Sequence, residues 1–379
     1  MSIADMLMGS RFYGAKSEAI DAVDVVDSRD TPAGLWAVVR VHHGTTSDLY
    51  QVLLDGDVDV LGQRATEYGQ ALAAGTPLGA GQLTGQAPIA GESGRVLTGE
   101  QSNTSLLFDS AMVKVFRRLE PGLSPDVELL SRLGDCPHVA PVRGWVTHTL
   151  GGQDYTLAMV QDFVHGGRDG WALALDYAAR GESFAAEATA LGRAMRAVHD
   201  ALAREFGTKT VPGEEVASRL SGQARALATR VPQLKDYLPQ VLDSYDELRG
   251  TDVSVQRIHG DLHLGQTLRT HQRYVLIDFE GEPARPLAER RRPDSPLRDV
   301  AGMVRSLDYA AHFNGTADTG WSAEATEALL AGYGVQPGPL LDAYLVDKAL
   351  YEVDYEANNR PDWVRIPLGA VERIMSARA

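Results

Sequence analysis

The first half of the chain alternates apolar and polar residues along several short runs. Residues 35–61 alternate in stretches that "HHGTTSD" and "DGD" interrupt, which predicts antiparallel strands joined by turns. Residues 139–150 and 155–164 have the same character and would complete an antiparallel sheet. Between 71 and 94 the residues become small and glycine-rich, which predicts a boundary between two β-rich parts.

The residues between these runs predict a hairpin followed by a helix. Two β-like runs in residues 102–119 flank the turn sequence "DSA". A helix is predicted within residues 124–133, because Ser124 can cap it and Pro125 suits its first position. Strand, turn and helix signals therefore alternate within a short part of the chain.

Beyond residue 180 the spacing of apolar residues becomes helical. Leu191, Met195, Val198 and Leu202 fall on one helix face, which predicts a helix with a buried side. Residues 254–280 form a short β-containing island in this helical part. Further helices are predicted at 213–230, 235–249, 298–312, 322–333 and 338–359.

The composition limits the classes of protein that fit. The 379 residues are 44% hydrophobic and 23% charged, which fits a soluble protein of two or three units. No apolar run approaches the ~20 residues of a membrane span, and the N-terminus lacks signal-peptide features, so a cytoplasmic protein is expected. A net charge of −15 argues against a general nucleic-acid partner. The single Cys136 excludes an internal disulfide and fits a reducing compartment.

The strongest chemical signal is "HGDLHLGQTLRTHQRYVLIDFEGEP" at residues 259–283. Asp261 is followed five residues later by Gln266 and seventeen residues later by Asp278, which ends an apolar run. This order resembles the protein-kinase layout, in which one aspartate faces the acceptor hydroxyl while an amide and a second aspartate bind magnesium. The combination predicts phosphoryl transfer at this segment.

A metallohydrolase is an alternative interpretation of the same segment. His259, Asp261 and His263 alternate in the way that metal ligands on a strand do. This alternative needs more ligands, and the remaining histidines form no compact cluster in the sequence. It also leaves Gln266 without a role. His199, which lies in the long apolar-faced helix, is predicted to be structural.

A kinase also needs a positioned cation for the nucleotide phosphates. Lys114 lies in the strand-like run "MVKVF", and Glu128 in "DVELL" is predicted to hold it from a helix. Glu120 and Asp126 are alternative partners for this lysine. The sequence has no GxGxxG loop, so the segment "GEQSNTS" is predicted to cradle the phosphates. Its contributing residues are backbone amides and the side chains of Ser102, Asn103 and Thr104.

The helix predicted at 338–359 has residues suited to a carbohydrate. Aromatic rings pack against sugar faces, and carboxylates bind hydroxyl or ammonium groups. Tyrosines and glutamates occupy neighbouring faces of this helix, and a proline ends it. The candidate residues are Tyr351, Glu352, Tyr355, Glu356, Asp362 and Trp363.

Several motifs together resemble a known family. "GEQSNTSLLF", "KVFRRLEPGLSPDVEL", "HGDLHLGQTL" and "YEVDYEANNRPDWVRIPL" look like actinobacterial maltokinases and their relatives, the glucosamine kinases, from about residue 99 to the end. The resemblance implies an α+β, bilobal, eukaryotic-protein-kinase-like fold of the aminoglycoside phosphotransferase type with a β-rich N-terminal cap. The corresponding parts are the cap (1–83), an N-lobe with the nucleotide site (84–165) and a mostly helical C-lobe with the catalytic loop and sugar site (166–379).

The resemblance also implies residue roles and cofactors. Asp261 would be the catalytic base, Gln266 and Asp278 the Mg²⁺ ligands, and Lys114 the cation on the phosphates of ATP. His263 would join the residues around the sugar. The segment from Gln161 to Val164, including Phe163, would contact the adenine.

The acceptor expected from the sequence is glucosamine, phosphorylated by ATP at its 6-hydroxyl. The cap is short beside a typical maltokinase, and the C-terminal acids can receive a protonated 2-amino group. The acids concerned are Glu352, Asp354, Glu356 and Asp362. A maltokinase acting on the anomeric hydroxyl is the alternative, followed by an aminoglycoside phosphotransferase and by a non-catalytic sugar-sensing module.

Overall fold

The chain forms two compact units. The computed structural model describes residues 2–75, 81–97, 102–282, 285–313 and 320–376. Unit 1 comprises Met1–Asp135 and Ala140–Val164, and unit 2 comprises Cys136–Val139 and His165–Ala379. Within the described residues, no helix has both the length and the apolar character that crossing a membrane requires.

Unit 1 contains two antiparallel sheets and short helices. One sheet has the order β1-β2-β3-β4 with β9 also on β3, and the other has the order β5-β10-β11-β8-β7-β6. Their turns fall at the predicted positions, where Gly44 and Gly56 have φ values of +53° and +59°. The elements are α1 (Ile3–Gly9), β1 (Ala22–Thr31), β2 (Gly34–His43), β3 (Thr46–Asp55), β4 (Val58–Asp59), α2 (Ala65–Ala73), β5 (Gln82–Gly85), β6 (Arg95–Val96), β7 (Asn103–Leu107), β8 (Ala111–Phe116), β9 (Arg118–Leu119), α3 (Pro125–Leu130), β10 (Val142–Leu150) and β11 (Gln153–Asp162).

The two sheets of unit 1 share one hydrophobic core. Trp36 and Tyr68 from the N-terminal part pack in the same buried cluster as Val113 of β8 and Phe108, which follows β7. The buried side chain of Gln51 also donates from Nε2 to two backbone carbonyl oxygens beyond residue 100, at 2.5 and 2.6 Å. The boundary between a cap and an N-lobe near residue 83 stays a prediction, since this core extends across it.

Two details of unit 1 differ from the sequence prediction. Helix α3 begins at Pro125 as expected but ends at Leu130, before the predicted residue 133. Ser124 occupies the N-cap position without a capping side-chain bond, and its backbone N–H donates instead to Oγ1 of Thr156 at 2.8 Å. The start of the helix is therefore held by the neighbouring strand β11.

Unit 2 is mostly helical, with two small antiparallel sheets, β12-β15-β16 and β13-β14. The four apolar residues expected to line one face of the long helix, Leu191, Met195, Val198 and Leu202, are buried there. The elements are β12 (Arg168–Asp169), α4 (Gly170–Arg180), α5 (Ala185–Phe206), β13 (Thr208–Pro212), α6 (Gly213–Arg230), α7 (Leu238–Asp246), β14 (Asp252–Gln256), β15 (Thr267–Arg269), β16 (Tyr274–Leu276), α8 (Leu287–Arg290), α9 (Leu297–His312), α10 (Trp321–Tyr333), α11 (Pro339–Asn359) and α12 (Arg365–Ser376).

Candidate active site

The predicted catalytic loop lies between β14 and β15, and helix α9 fixes its backbone. The N–H groups of His259 and Gly260 donate to the carboxylate of Asp299 at 2.8 and 2.9 Å. Gly260 has a φ of +88°, which other residues rarely adopt. Gly302 permits the close approach of α9, since a Cβ there would lie 2.5 Å from a carbonyl oxygen of the loop. Asp261, which follows Gly260, is therefore held at a defined place.

Two further side chains hold Asp299. Nε2 of His199 lies 3.0 Å from the Asp299 carboxylate, and Nδ1 of the same ring lies 2.9 Å from the Tyr333 hydroxyl. All three side chains are buried. Burial alone would raise the pKa of Asp299, but the hydrogen bonds from His199 and Gly260 help to outweigh it and lower the pKa. Asp299 therefore stays ionised and accepts from the loop. His199 is structural, as predicted from its place in the helix.

The imidazole of His259 connects the loop to the segment of Asp278. Its Nε2 lies 2.9 Å from the carbonyl oxygen of Ile277 and must carry the proton, because a carbonyl can only accept. Its Nδ1 accepts from the backbone N–H of Asp261 at 3.4 Å, and its ring lies 4.5 Å from that of Phe279. Both ring nitrogens are thus engaged within the fold, which does not favour the metallohydrolase interpretation.

Asp261 lines a narrow pocket within unit 2. Nζ of Lys348 lies 3.3 Å from Oδ1 of Asp261 and 3.5 Å from Oε1 of Glu282. The same ammonium lies 5.1 Å from the centre of the Tyr351 ring, and Tyr351 and Asp347 both line the pocket. Burial raises the pKa of Asp347 to about 6. The pocket thus combines a candidate base with acidic, basic and aromatic side chains.

The two predicted metal ligands lie side by side. Nε2 of Gln266 donates to Oδ2 of Asp278 at 3.0 Å, and the N–H of Ile277 donates to the carbonyl oxygen of Gln266 at 3.0 Å. Asp278 has a φ of +64°, the one positive φ of a non-glycine residue in the described ranges. Such backbone costs roughly 1–3 kcal/mol and is found at functional sites. Amide and carboxylate oxygens are the ligands that Mg²⁺ takes, so this pair fits the ion.

His263 has a local role in the same loop. Its Nδ1 accepts from the N–H of Gly265 at 3.2 Å and so caps the 3₁₀ turn Leu264–Gln266. Burial lowers the pKa of His263, and the negative charge of Asp261 only partly opposes this. The predicted contact of His263 with the sugar stays a prediction.

In unit 1, Lys114 forms a buried ion pair with Asp126. Its Nζ lies 2.7 Å from Oδ2, and both side chains are buried. This pair is one of the alternatives that the sequence offered, and the role of Glu128 stays a prediction. Asp126 and Glu128 are two residues apart on α3, and residues at that spacing do not share a helix face. The pairing gives Lys114 a fixed position on β8.

The predicted phosphate loop and hinge also belong to unit 1. Residues 99–101 of the phosphate loop lie outside the described residues. Strand β7 pairs with β8, and Ser105 stands opposite Lys114. Thr104 precedes Ser105 in β7 and stands opposite Val115. Nδ2 of Asn103 lies 3.5 Å from Oγ of Ser102.

The hinge residues end the last strand of unit 1. Gln161 is buried and pairs with Met112 of β8. Phe163 donates its backbone N–H to the carbonyl oxygen of Ser110 at 3.2 Å, and unit 1 ends at Val164. Nucleotide contacts by these residues stay predictions.

The glutamates predicted to receive the amino group are paired with arginines. Glu352 accepts from Nε of buried Arg305 at 2.8 Å. Glu356 is only 1% exposed and lies 2.7 Å from Arg360, and it also accepts from the Tyr309 hydroxyl at 3.2 Å. Burial raises the pKa of Glu352, and the positive charge of Arg305 opposes this. Both glutamates therefore already have structural partners.

The other predicted acceptor residues have different surroundings. Asp354 pairs with an arginine of α6 at 2.8 Å, and Asp362 is exposed. Tyr355 is 47% exposed, whereas the ring of Trp363 packs 5.3 Å from that of Phe313. In the described part of the chain, none of these four residues lines the pocket beside Asp261. Of the aromatic residues predicted to contact the sugar, Tyr351 lines it.

Sequence reasoning missed four residues of this site: Glu282, Asp299, Asp347 and Lys348. Lys348 precedes Tyr351 by three residues and so shares its helix face, which was the available signal. Asp299 lies in the first turn of α9, where an acid is ordinary. Its contact with the loop joins residues about forty positions apart, and no sequence spacing indicates it.

Comparison with known proteins identifies the class. The model of the phosphotransferase enzyme family matches residues 93–344. The chain therefore belongs to the phosphotransferase enzyme family, and the predicted kinase-like fold and enzyme class are confirmed.

Two similar relatives within this class are named glucosamine kinase. One from Streptacidiphilus jiangxiensis is 31% identical, over 91% of this chain and 86% of the relative. One from Mycolicibacterium smegmatis is 28% identical, over 74% of this chain and 79% of the relative. A solved glucosamine kinase structure, crystal form B, is 25% identical with a TM-score of 0.71 and covers 95% of this chain and 96% of its own. The suspected family is thus confirmed.

Proposed function

We propose that this protein is an ATP-dependent kinase that phosphorylates glucosamine and yields glucosamine 6-phosphate. The main supporting observation is Asp261, which follows a backbone held by Asp299 and lines a pocket with Glu282, Lys348 and Tyr351. The similarity to glucosamine kinases over most of the chain supports the choice of acceptor. Use of ATP fits the cytoplasmic location expected from the composition.

The chemistry is a phosphoryl transfer with Asp261 as general base. Asp261 orients the acceptor hydroxyl and accepts its proton as the hydroxyl oxygen bonds to the γ-phosphorus. The bond between the γ-phosphorus and the bridging oxygen breaks, and ADP leaves with that electron pair. Because Asp299 fixes the backbone directly before Asp261, little reorganisation is needed at the base.

The remaining predicted residues serve the nucleotide. Lys114, held by Asp126, supplies a positive charge for the phosphates. Gln266 and Asp278 would hold a magnesium ion, which when bound neutralises phosphate charge. In unit 1, the other proposed nucleotide contacts are the side chains of Ser102, Asn103 and Thr104 and the hinge residues Gln161, Phe163 and Val164.

Product formation with Mg-ATP tests the acceptor directly. The panel consists of glucosamine, N-acetylglucosamine, glucose, maltose and an aminoglycoside, with the phosphate position determined by NMR. We expect glucosamine to give the highest kcat/KM by at least about tenfold, equivalent to ~1.4 kcal/mol, and phosphate on the 6-oxygen. Preference for maltose with anomeric phosphate would make the protein a maltokinase instead.

Replacement of the base tests the mechanism. Asp261→Asn should keep the fold and nucleotide binding but lower kcat by about 10²- to 10⁴-fold, as for loss of a general base. Asp200→Asn is the matched control, because Asp200 is an exposed acid of α5 paired with Arg196. Wild-type turnover in Asp261→Asn would contradict the assignment of the base.

A further inference from the structure

Lys348 of helix α11 stands between two carboxylates at the pocket. Its ammonium lies 3.3 Å from Oδ1 of Asp261 and 3.5 Å from Oε1 of Glu282, and the Tyr351 ring lies 5.1 Å away. The side chain is 23% exposed, so most of its length is removed from water. One ammonium is thus shared between the candidate base and a second acid.

The surroundings keep this lysine charged. Burial alone would lower the pKa of Lys348, but the negative charges of Asp261, Glu282 and Glu352 outweigh it and raise the pKa. A buried ammonium is expensive unless it is paired, so the lysine has reason to stay with these carboxylates. Lys348 therefore presents a permanent positive charge to Asp261.

Glu282 is a fixed anchor for this lysine. Arg285 contacts its carboxylate, and a guanidinium nitrogen of Arg298 lies 3.1 Å from Oε2. Although burial opposes it, the positive charges of Lys348, Arg298 and Arg285 lower the pKa of Glu282 to about 2. The anion is therefore held by arginines on one oxygen, while the other oxygen faces Lys348.

The contact with Lys348 also makes the two carboxylate oxygens of Asp261 different from each other. Lys348 approaches Oδ1. Within the described residues, no hydrogen bond reaches Oδ2 of Asp261, which distinguishes it from Glu356 of α11, whose two oxygens both accept from Arg360. A carboxylate held by one oxygen can rotate less about its last side-chain bond.

We propose that Lys348 is a positioning residue for the transfer: anchored on Glu282, it holds Oδ1 of Asp261 so that Oδ2 receives the acceptor hydroxyl. The proposal rests on the proposed function, in which Asp261 is the base. It assigns Lys348 no contact with the reacting atoms. Its effect on the rate comes through the orientation of Asp261.

Kinetics of Lys348→Met test the proposal. We expect kcat for glucosamine to fall by about 10- to 100-fold, the cost of a base displaced by about 1 Å, while KM for ATP stays unchanged. Lys348→Arg should recover part of the loss, since it restores a cation of similar reach. Lys209→Met is the matched control, because Lys209 is an exposed lysine of the same unit on β13. Wild-type kcat in Lys348→Met would overturn the proposal.

A double variant separates positioning from an independent structural effect. In an Asp261→Asn background, Lys348→Met should cause little further loss of kcat, measured with radiolabelled ATP, because the group it positions is already disabled. An equal fold-loss in both backgrounds would overturn the proposal. Absence of sugar phosphorylation by the wild type would instead refute the proposed function.

A second pair of variants tests the proposal if Lys348→Met folds poorly. Lys348→Arg and Lys348→Gln both keep a polar donor, and only the arginine keeps the positive charge. The expected order of kcat is wild type, then Arg, then Gln, at an unchanged KM for ATP. Equal kcat values in all three proteins would overturn the proposal.

Discussion

Replacement of Asp299 by asparagine removes the charge that holds the catalytic loop. The carboxylate accepts from the N–H groups of His259 and Gly260 and from Nε2 of His199, at 2.8 to 3.0 Å. Asparagine keeps the shape but offers one acceptor oxygen, and its amide nitrogen would face a donor. At least one buried donor then loses its partner. Hydrogen bonds to charged groups contribute about 1.5–3 kcal/mol each, so a loss near 3 kcal/mol is expected.

Amide hydrogen exchange measures this loss where it occurs. A peptide spanning 257–266 contains both backbone donors, and its exchange can be followed by mass spectrometry. Because ~1.4 kcal/mol corresponds to a factor of ten, the slowest exchange in this peptide should accelerate about 100-fold in Asp299→Asn. The kcat should fall as well, since the loop carries Asp261 directly after Gly260.

The control is a second buried aspartate on the same helix. Asp308 of α9 contacts Arg305 and Arg373 and makes no hydrogen bond to the catalytic loop among the described residues. Asp308→Asn should lower thermal stability without accelerating exchange in 257–266. Unchanged exchange and kcat in Asp299→Asn would refute the reasoning, because the loop would then be held by other contacts.

Two further predictions concern stability. Arg117, which is fully buried, pairs with Asp59 and stacks 3.9 Å from the Phe12 ring. Arg117→Met alone should cost about 3–5 kcal/mol, and adding Asp59→Leu should recover part of it in urea unfolding; a double variant no more stable than the single would contradict this. Burial raises the pKa of Asp347 from 3.8 to about 6, so its stabilising contribution is complete below pH 4 and is lost as the pH rises through 6. Asp347→Asn should therefore flatten the decline of the thermal midpoint between pH 4 and 7, and an unchanged decline would refute the assignment.

The helices were the most predictable part of the fold. Helix α6 spans Gly213–Arg230, the predicted range, and α9 and α11 differ from prediction by single residues at their starts. Their apolar residues recur at helical spacing because one side is buried. Strand β1 was missed for the opposite reason: most of its residues are exposed on both faces, so it lacks the alternation that indicates a strand.

The arrangement of the candidate catalytic segment was predictable because its residues are close in sequence. Asp261, Gln266 and Asp278 belong to one loop and the hairpin that follows it, so their spacing in the sequence indicates that they lie close together. The contacts that fix them are not local: Lys348 is 87 positions from Asp261. The pair of Lys114 with Asp126 could not be singled out for a related reason, since two acids of one short helix differ only in the direction that each faces.

The acids of α11 show why charge in a sequence is a weak guide to a ligand. Glu356 lies four residues before Arg360, a spacing that already indicates an ion pair on a helix. The partner of Glu352, Arg305, is 47 positions away and leaves no such signal. Both oxygens of Glu356 accept from Arg360, so an ammonium placed beside this glutamate would have to displace a guanidinium and leave that arginine without its partner. We therefore expect selection of an amino sugar by this protein to depend on the pocket beside Asp261 more than on the number of acids in its last long helix.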